Sequence, residues 1–394
     1  MKPLLPLEEA QKRLIAMAQP MAAETVSVDQ AFGRYIAEDI IAQRDQPAAN
    51  MSAMDGYAIR FEDRNGPWKV IGECKAGSPP CSAIAAGEAA RIFTGALLPE
   101  GADTVVMQEN VDRNDNELKL IDDPSPVKGR HVRYQGGDFA AGSVVLKAGT
   151  LLNAGALGHI VIAGHGELRV GTRPKIAILS TGDELVPPGA TSLPHQIPAS
   201  NDVMIAAMLA ALPAQSRSIS RIPDNLDSLC AALENAQDCD VIVTIGGASV
   251  GDHDLVAPAF KKMGGQTDFW KIAMKPGKPL MAGKLRSSLV IALPGNPGSA
   301  FVTATLFLLP LIRYLAGANH YMPILQSAVT STPLPATGTR AEFLRAMVQD
   351  GQITAFDSQD SAQLSILAAA NALLYRPAES GPQPTGSTVS YLSI

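Results

Sequence analysis

Only 5% of the residues are aromatic and only four are cysteine, so neither stacking surfaces nor a cysteine-rich centre dominates the chain. Cys74, Cys81, Cys230 and Cys239 form no CxxC pair and no zinc-like cluster with histidine, and they read as reduced thiols of a cytoplasmic protein. Positive charge is not in excess. The formal net charge is −6, which excludes the dominant basic face that a large nucleic-acid footprint needs. The first residues, MKPLLPLEEAQKRL, place acidic side chains where a signal peptide needs an apolar core. The most hydrophobic stretch, Ala300 to Leu315, is interrupted by Pro310 and carries Arg313. It is too short and too polar to span a bilayer and reads as a buried helix. Neither nucleic acid nor membrane is therefore an expected partner. The six histidines are scattered, and nothing resembles a Ser-His-Asp or Cys-His nucleophile.

What is present is turn chemistry and a large apolar fraction. At 394 residues and 46% hydrophobic, the chain is globular and long enough for two to four domains. Residues Leu7 to Ala18 read as a short helix. Ala23 to Ile41 suggest another, with Val28, Ala31, Phe32 and Ile36 at roughly helical spacing. From Gln43 to Asp138 short apolar runs alternate with Gly, Pro, Asn and Asp turns, which predicts a small β module inserted near the N-terminus. A helix is expected from Ala154 to Ala163. From Lys175 strands and helices alternate, which implies a three-layer α/β/α domain with a mostly parallel sheet over residues 174–317. Beyond Ala318 short strands predict a C-terminal β domain, residues 318–394.

The chemistry concentrates where strands of the α/β domain end, as expected for sites in such sheets. Val241-Ile242-Val243 runs into TIGGASVGDHD. Gly246 and Gly247 allow a sharp turn and close approach of a ligand, and a loop of this kind directs N–H groups at phosphate. Asp252 and Asp254 supply oxygen ligands for a hard cation such as magnesium. His253 lies in the same loop and is given no catalytic role. A second loop is Ser180-Thr181-Gly182-Asp183-Glu184. A third is Leu293-Pro294-Gly295-Asn296-Pro297, followed by a helix N-terminus suited to an anion. Between them Lys271, Lys275 and Lys278 recur where Pro276, Gly277 and Pro279 restrain the backbone, and lysine suits phosphate or another tetrahedral oxyanion. In the β module, Asp55 sits in SAMDGYA, Thr94 in RIFTGA, and Asp138 closes RHVRYQGGD, a compact basic and glycine-rich segment suited to an anionic ligand or to a solvated loop. A plain Asp-Gly turn also accounts for Asp55 locally.

In this order, and over nearly the whole chain, SAMDGYA, RIFTGA, STGDEL, GGASVGDHD, KPGKP and LPGNP closely resemble the MoeA and gephyrin E-domain family of molybdopterin molybdenumtransferases. The resemblance implies four domains in an elongated homodimer: a discontinuous linker and dimerisation domain (1–42 and 139–173), the β module (43–138), a molybdopterin-binding domain (174–317) and the C-terminal β domain. It implies insertion of molybdate into adenylylated molybdopterin with release of AMP, in a cleft between subunits, assisted by Mg2+ or Zn2+. It also implies an upstream molybdopterin adenylyltransferase and downstream proteins of molybdoenzyme maturation as partners. Carried onto this chain, the catalytic set is Asp55, Glu184, Asp224, Asp254, Lys271 and Lys275, with Asp55, Glu184 and Asp254 at the metal. The ligand-binding set is Thr94, Asp138, Ser180, Thr181, Gly182, Gly246, Gly247, Ser249, Lys278, Pro294, Gly295, Asn296 and Arg345. The chain departs from the family pattern at Gly136-Gly137-Asp138, where an acidic residue usually precedes the aspartate, and at 360–365, where a glycine-serine-rich segment is usual. An adenylyltransferase and a non-catalytic scaffold are the competing readings. The first needs only the central domain, so SAMDGYA and KPGKP weigh against it.

Overall fold

The computed structural model describes residues 4–121, 127–247 and 255–394. The central sheet has the strand order Gln215–Ile222, Lys175–Thr181, Val241–Ile245, Ser288–Leu293, Met281–Leu285, Gln266–Trp270. The first four are parallel and the last two join antiparallel, by the hairpin Met281–Leu285 to Ser288–Leu293 and its neighbour. All five residues of Val241–Ile245 are buried, as a parallel strand covered on both faces requires. Alternate residues feed opposite cores. Ile176, Ile178, Val241 and Val243 pack with the helices Leu7–Ala16, Asn201–Ala210 and Pro297–Leu315. Ala177, Leu179 and Ile242 pack with Leu226–Asn235 and Val256–Lys262. The N-terminal helix thus belongs to the central core, through Leu7, Ala10 and Leu14.

The apolar helix Pro297–Leu315 has the length of a membrane span, but 78% of its apolar window is buried inside the protein. Its turns at Ala304–Leu308 widen to π geometry just before Pro310. Proline lacks the N–H that would reach the Leu306 carbonyl. The Gln11 side-chain amide donates to that carbonyl instead, at 2.9 Å.

The expected helix over Ala23 to Ile41 does not form. Ala23–Ser27 is a strand paired antiparallel with Glu167–Gly171, followed by a single 3-10 turn, Val28–Gln30. Ile40–Ile41 pairs with Val144–Leu146. Val28, Ala31 and Ile36, with Ile40, still pack on one core with Leu152, Ile160, Leu168 and Val170, whereas Phe32 is exposed, so the apolar spacing marks only in part a buried face of irregular chain. The helix Ala154–Ile162 forms as expected, with the Asn153 side chain accepting from Ala156 N–H. The β module is a six-stranded sheet ordered Thr104–Met107, Gly56–Ile59, Glu88–Ile92, Trp68–Cys74, Glu117–Leu120, Val111–Asn114. In the C-terminal domain Ala341–Gln349 pairs with both Gln352–Ala355 and Ala372–Arg376, which closes the sheet on itself and leaves few open edges. The two residues Met274–Lys275 add to that sheet beside Ala341–Gln349.

Candidate active site

Three strand ends meet. Gly182, at φ +150°, donates its N–H to the Ile222 carbonyl at 3.2 Å, and Leu185 N–H returns to the Gly182 carbonyl at 3.2 Å. That turn leaves Glu184 at a cavity mouth. Gly246 and Gly247 have φ +93° and +59°, a region that L side chains avoid. A Cβ on Gly246 would stand 3.0 Å from the Thr181 carbonyl oxygen, so only glycine lets the first two loops approach this closely. Gly295 of the third loop lies against Gly246, and its carbonyl accepts a 2.6 Å hydrogen bond from the Asn201 amide. The enclosed cavity, about 90 Å³, is lined by Ser180, Thr181, Glu184, Asn201, Asp202, Gly246 and Gly295, among others. Its volume suits a phosphate-sized group, with the rest of any larger ligand outside. Ser180 Oγ, Asn201 Oδ1 and Asp202 Oδ1 are buried here without a protein hydrogen-bond partner, which buried polar atoms seldom tolerate. A larger cavity, about 870 Å³, lies elsewhere against Tyr35, Phe301, Leu309 and Arg313 and contains none of the three loops.

Asp224 flanks the first loop, its N–H donating to Asp183 Oδ1 at 3.2 Å. Ser249, Asp252, His253 and Asp254 lie outside the described residues. At the third loop, Gly298 N–H donates to the Ser361 carbonyl at 2.7 Å, and Asn296 Nδ2 donates to Ser361 Oγ at 3.1 Å. The helix N-terminus therefore has one N–H already occupied, and the 360–365 segment packs on the Pro294-Gly295-Asn296 turn.

The lysines sit on a pinned segment. Lys271 has φ +74°, donates its N–H to the Leu280 carbonyl and accepts at its own carbonyl from Leu5 N–H. Its Nζ lies 5.6 Å from the Trp270 ring centre, a cation–π contact. Lys275 Nζ is 3.7 Å from Glu342 Oε1. Lys278 is exposed, and its carbonyl accepts from Ile272 N–H. Arg345 is different: it is 1% exposed, and neither Nη atom has a protein hydrogen-bond partner. Burial pushes its guanidinium below the ordinary value, opposed by Asp360. Its backbone is clamped by Gln359, which accepts from Arg345 N–H at 2.9 Å and donates to its carbonyl at 3.0 Å. Gln359, Asp360 and Ser361 therefore link Arg345 to the third loop.

In the β module Asp55 is exposed and held by Thr94, whose N–H and hydroxyl both donate to Oδ1, at 2.7 and 2.8 Å. The Thr94 N–H, then its hydroxyl, hold the carboxyl below its ordinary value, with Arg91 adding to this against a small desolvation cost. Arg91 donates to the Gly56 carbonyl at 2.8 Å and lies over the Phe93 ring at 4.5 Å. Asp138 is placed by its N–H, which donates to the Gln46 carbonyl at 2.9 Å. None of the described hydrogen bonds, ion pairs or cavities joins Asp55, Thr94 or Asp138 to the central loops. No group of three metal-ligating His, Cys, Asp or Glu side chains occurs among the described residues, which do not include Asp254. Asn201, Asp202, Gln359 and Ser361 were not legible as site residues. Asn201 reads as a helix cap, and its reach to Gly295 crosses 94 residues. Because the Thr94 hydroxyl is one of the two donors and valine keeps the N–H, Thr94→Val is expected to raise the Asp55 pKa part of the way toward the ordinary carboxyl value. A carbon-detected NMR titration with an unmoved midpoint would contradict the assignment.

A three-layer α/β domain with phosphate-suited loops at its sheet edge, flanked by a β module and a closed β domain, defines a multidomain protein built to handle a phosphorylated ligand. Residues 5–164 match the MoeA N-terminal region (domain I and II), residues 177–314 a probable molybdopterin binding domain, and residues 327–394 the MoeA C-terminal region (domain IV). The chain is 34% identical over 398 residues to a molybdopterin molybdenumtransferase of Haemophilus influenzae, covering 98% of each. It is also 34% identical over 371 residues to one of a Nostoc species, covering 90% of this chain and 85% of the relative. A crystal structure of a molybdopterin biosynthesis MoeA protein from Pyrococcus horikoshii superposes with a TM-score of 0.85 at 27% identity, covering 100% of both chains. The chain belongs to the MoeA family of molybdopterin molybdenumtransferases.

Proposed function

We propose that this protein inserts molybdate into adenylylated molybdopterin and releases AMP. The observation that carries the reading is the convergence of the Ser180–Glu184, Gly246 and Gly295 loops on one cavity with unpartnered buried polar atoms. The phosphoanhydride of the substrate sits against these loops, whose N–H groups and hydroxyls hold its oxygens. Arg345, with Lys271, Lys275 and Lys278, takes the tetrahedral oxyanion near the dithiolene, where proximity replaces a bimolecular encounter.

The donor set fits Mg2+. Glu184 at the cavity and the ionised Asp55 are carboxylates and would hold Mg2+, which takes hard oxygen ligands. Zn2+ prefers nitrogen and sulfur, and among the described residues of these loops the side-chain ligands are oxygens. When bound, Mg2+ would supply Lewis-acid polarisation of the phosphoanhydride. The reading takes the protein as a homodimer in which the β module of one copy brings Asp55 and Thr94 to the central loops of its partner.

The test is AMP release from adenylylated molybdopterin by purified protein, with and without molybdate and Mg2+. Release indifferent to molybdate would remove the proposal. In single turnover, Asp55→Asn is expected to release AMP about 100-fold more slowly. A variant running at the parent rate would strip Asp55 of its role.

A further inference from the structure

We infer that Cys74 and Cys81 are a thiol–disulfide site: a peroxide-class oxidant joins them, a dithiol separates them, and the bond fixes the loop beside Thr94. Among the described residues all four cysteines are free. Yet Cys74 Sγ and Cys81 Sγ stand 2.7 Å apart, against about 2.05 Å for a disulfide bond. The approach is built into the backbone. Cys81 N–H donates to Cys74 Sγ at 3.3 Å. The residue facing Cys81 is Gly72, where a Cβ would stand 3.3 Å from the Cys81 Cβ, tighter than ordinary contact. Cys74 is 1% exposed and lies at the end of a strand, whereas Cys81 is only half-buried and open to a small oxidant.

The loop between them, Lys75 to Pro80, is exposed throughout. Its neighbour is the segment that holds Asp55. Phe93 N–H donates to the Cys74 carbonyl at 3.2 Å, and Ala76 Cβ is 3.7 Å from the Cβ position of Gly95. A bond between residues 74 and 81 closes a short ring against Thr94 without using any residue of the Asp55–Thr94 pair.

The chemistry balances with hydrogen peroxide as oxidant. One thiol takes an oxygen to become a sulfenic acid and releases water. The second thiol displaces the hydroxyl, forming the S–S bond and a second water. Two thiols and one peroxide give one disulfide and two waters. Burial, then the neighbouring Cys74 sulfur, pushes the Cys81 thiol up to about 12. Thiolate is scarce at neutral pH, so the oxidant is used in excess.

The full chain, treated with hydrogen peroxide and alkylated under denaturing conditions, is expected to fall from four free thiols to two and to lose two hydrogens in mass. Dithiothreitol restores both values. Trypsin cuts after Lys75, between the two cysteines, so the bond joins two peptides and is mapped directly. Oxidation is also expected to slow amide exchange over residues 75–81 in the parent protein and not in Cys81→Ser. Four persisting thiols, a cross-link through Cys230 or Cys239, or oxidation to sulfinic acid alone would overturn the site. Unchanged exchange with the bond formed would overturn the fixing of the loop.

Discussion

Replacing Arg345 with methionine is expected to lower molybdate-dependent turnover about a thousandfold while leaving the protein melting no lower than its parent. The two halves have one cause. The Arg345 guanidinium is buried, and both Nη atoms lack a protein partner, which costs free energy in the empty protein. Methionine fills similar volume without that cost. An oxyanion seated on the guanidinium forms a buried ion pair, and removing one member of such a pair costs about 3–5 kcal/mol, about three decades in binding. Molybdate is therefore expected to raise the melting temperature of the parent and to leave that of Arg345→Met unmoved. A variant that keeps its turnover, or that melts several degrees lower, would show Arg345 to be structural. Mixed with Asp55→Asn, the variant also tests the dimer. If each site takes Asp55 from one copy and Arg345 from the other, a heterodimer contains one intact site and activity returns. If both act within one chain, the mixture stays dead.

Gly56→Ala carries the largest expected effect on stability. Gly56–Ile59 is the second strand of the β module, paired on one side with Glu88–Ile92 and on the other with Thr104–Met107. A Cβ at residue 56 would stand 2.0 Å from the Val106 carbonyl oxygen, a backbone atom in the adjacent strand that cannot rotate away. Separating the strands breaks the ladder at the residue after Asp55 and shifts the Gly56 carbonyl that Arg91 binds. Overpacking of this kind costs about 3 kcal/mol, a fall of about 10 °C or more for a module of this size. Calorimetry with an unshifted transition would refute the estimate.

The central domain was readable because its signals are local. A β-branched run, a glycine turn and an apolar helix repeat, and each strand end falls where its loop was expected. The three loops do converge, through contacts of Gly246 with Thr181 and of Gly295 with Gly246. The N-terminal segment was not readable. AETVS pairs with ELRVG some 140 residues later, and a spacing of Val28, Ala31, Phe32 and Ile36 cannot distinguish a helix from irregular chain that packs all of these but Phe32 on a core. Arg345 showed its family position in the sequence but not its isolation. Its burial depends on packing from far along the chain: Arg345 shares its strand face with Phe343 and pairs with Leu373, and both of these pack on the central core. Cys74 and Cys81, seven residues apart, meet where Gly72 leaves room for the Cys81 side chain.

The segment from Lys271 to Leu280 is anchored at three points in three different parts of the chain. Leu5 brackets it, accepting from Ala273 N–H and donating to the Lys271 carbonyl. Trp270 and Met281, which flank it, pair at the central sheet edge, and Ala341 N–H, from the closed β domain, donates to the Ala273 carbonyl. A tripod of this kind makes the positions of the ammonium groups a property of how the parts of the protein stand together. Deleting the first few residues, or loosening the C-terminal domain, alters the field felt by an anion as surely as removing a lysine, though no charge has been touched.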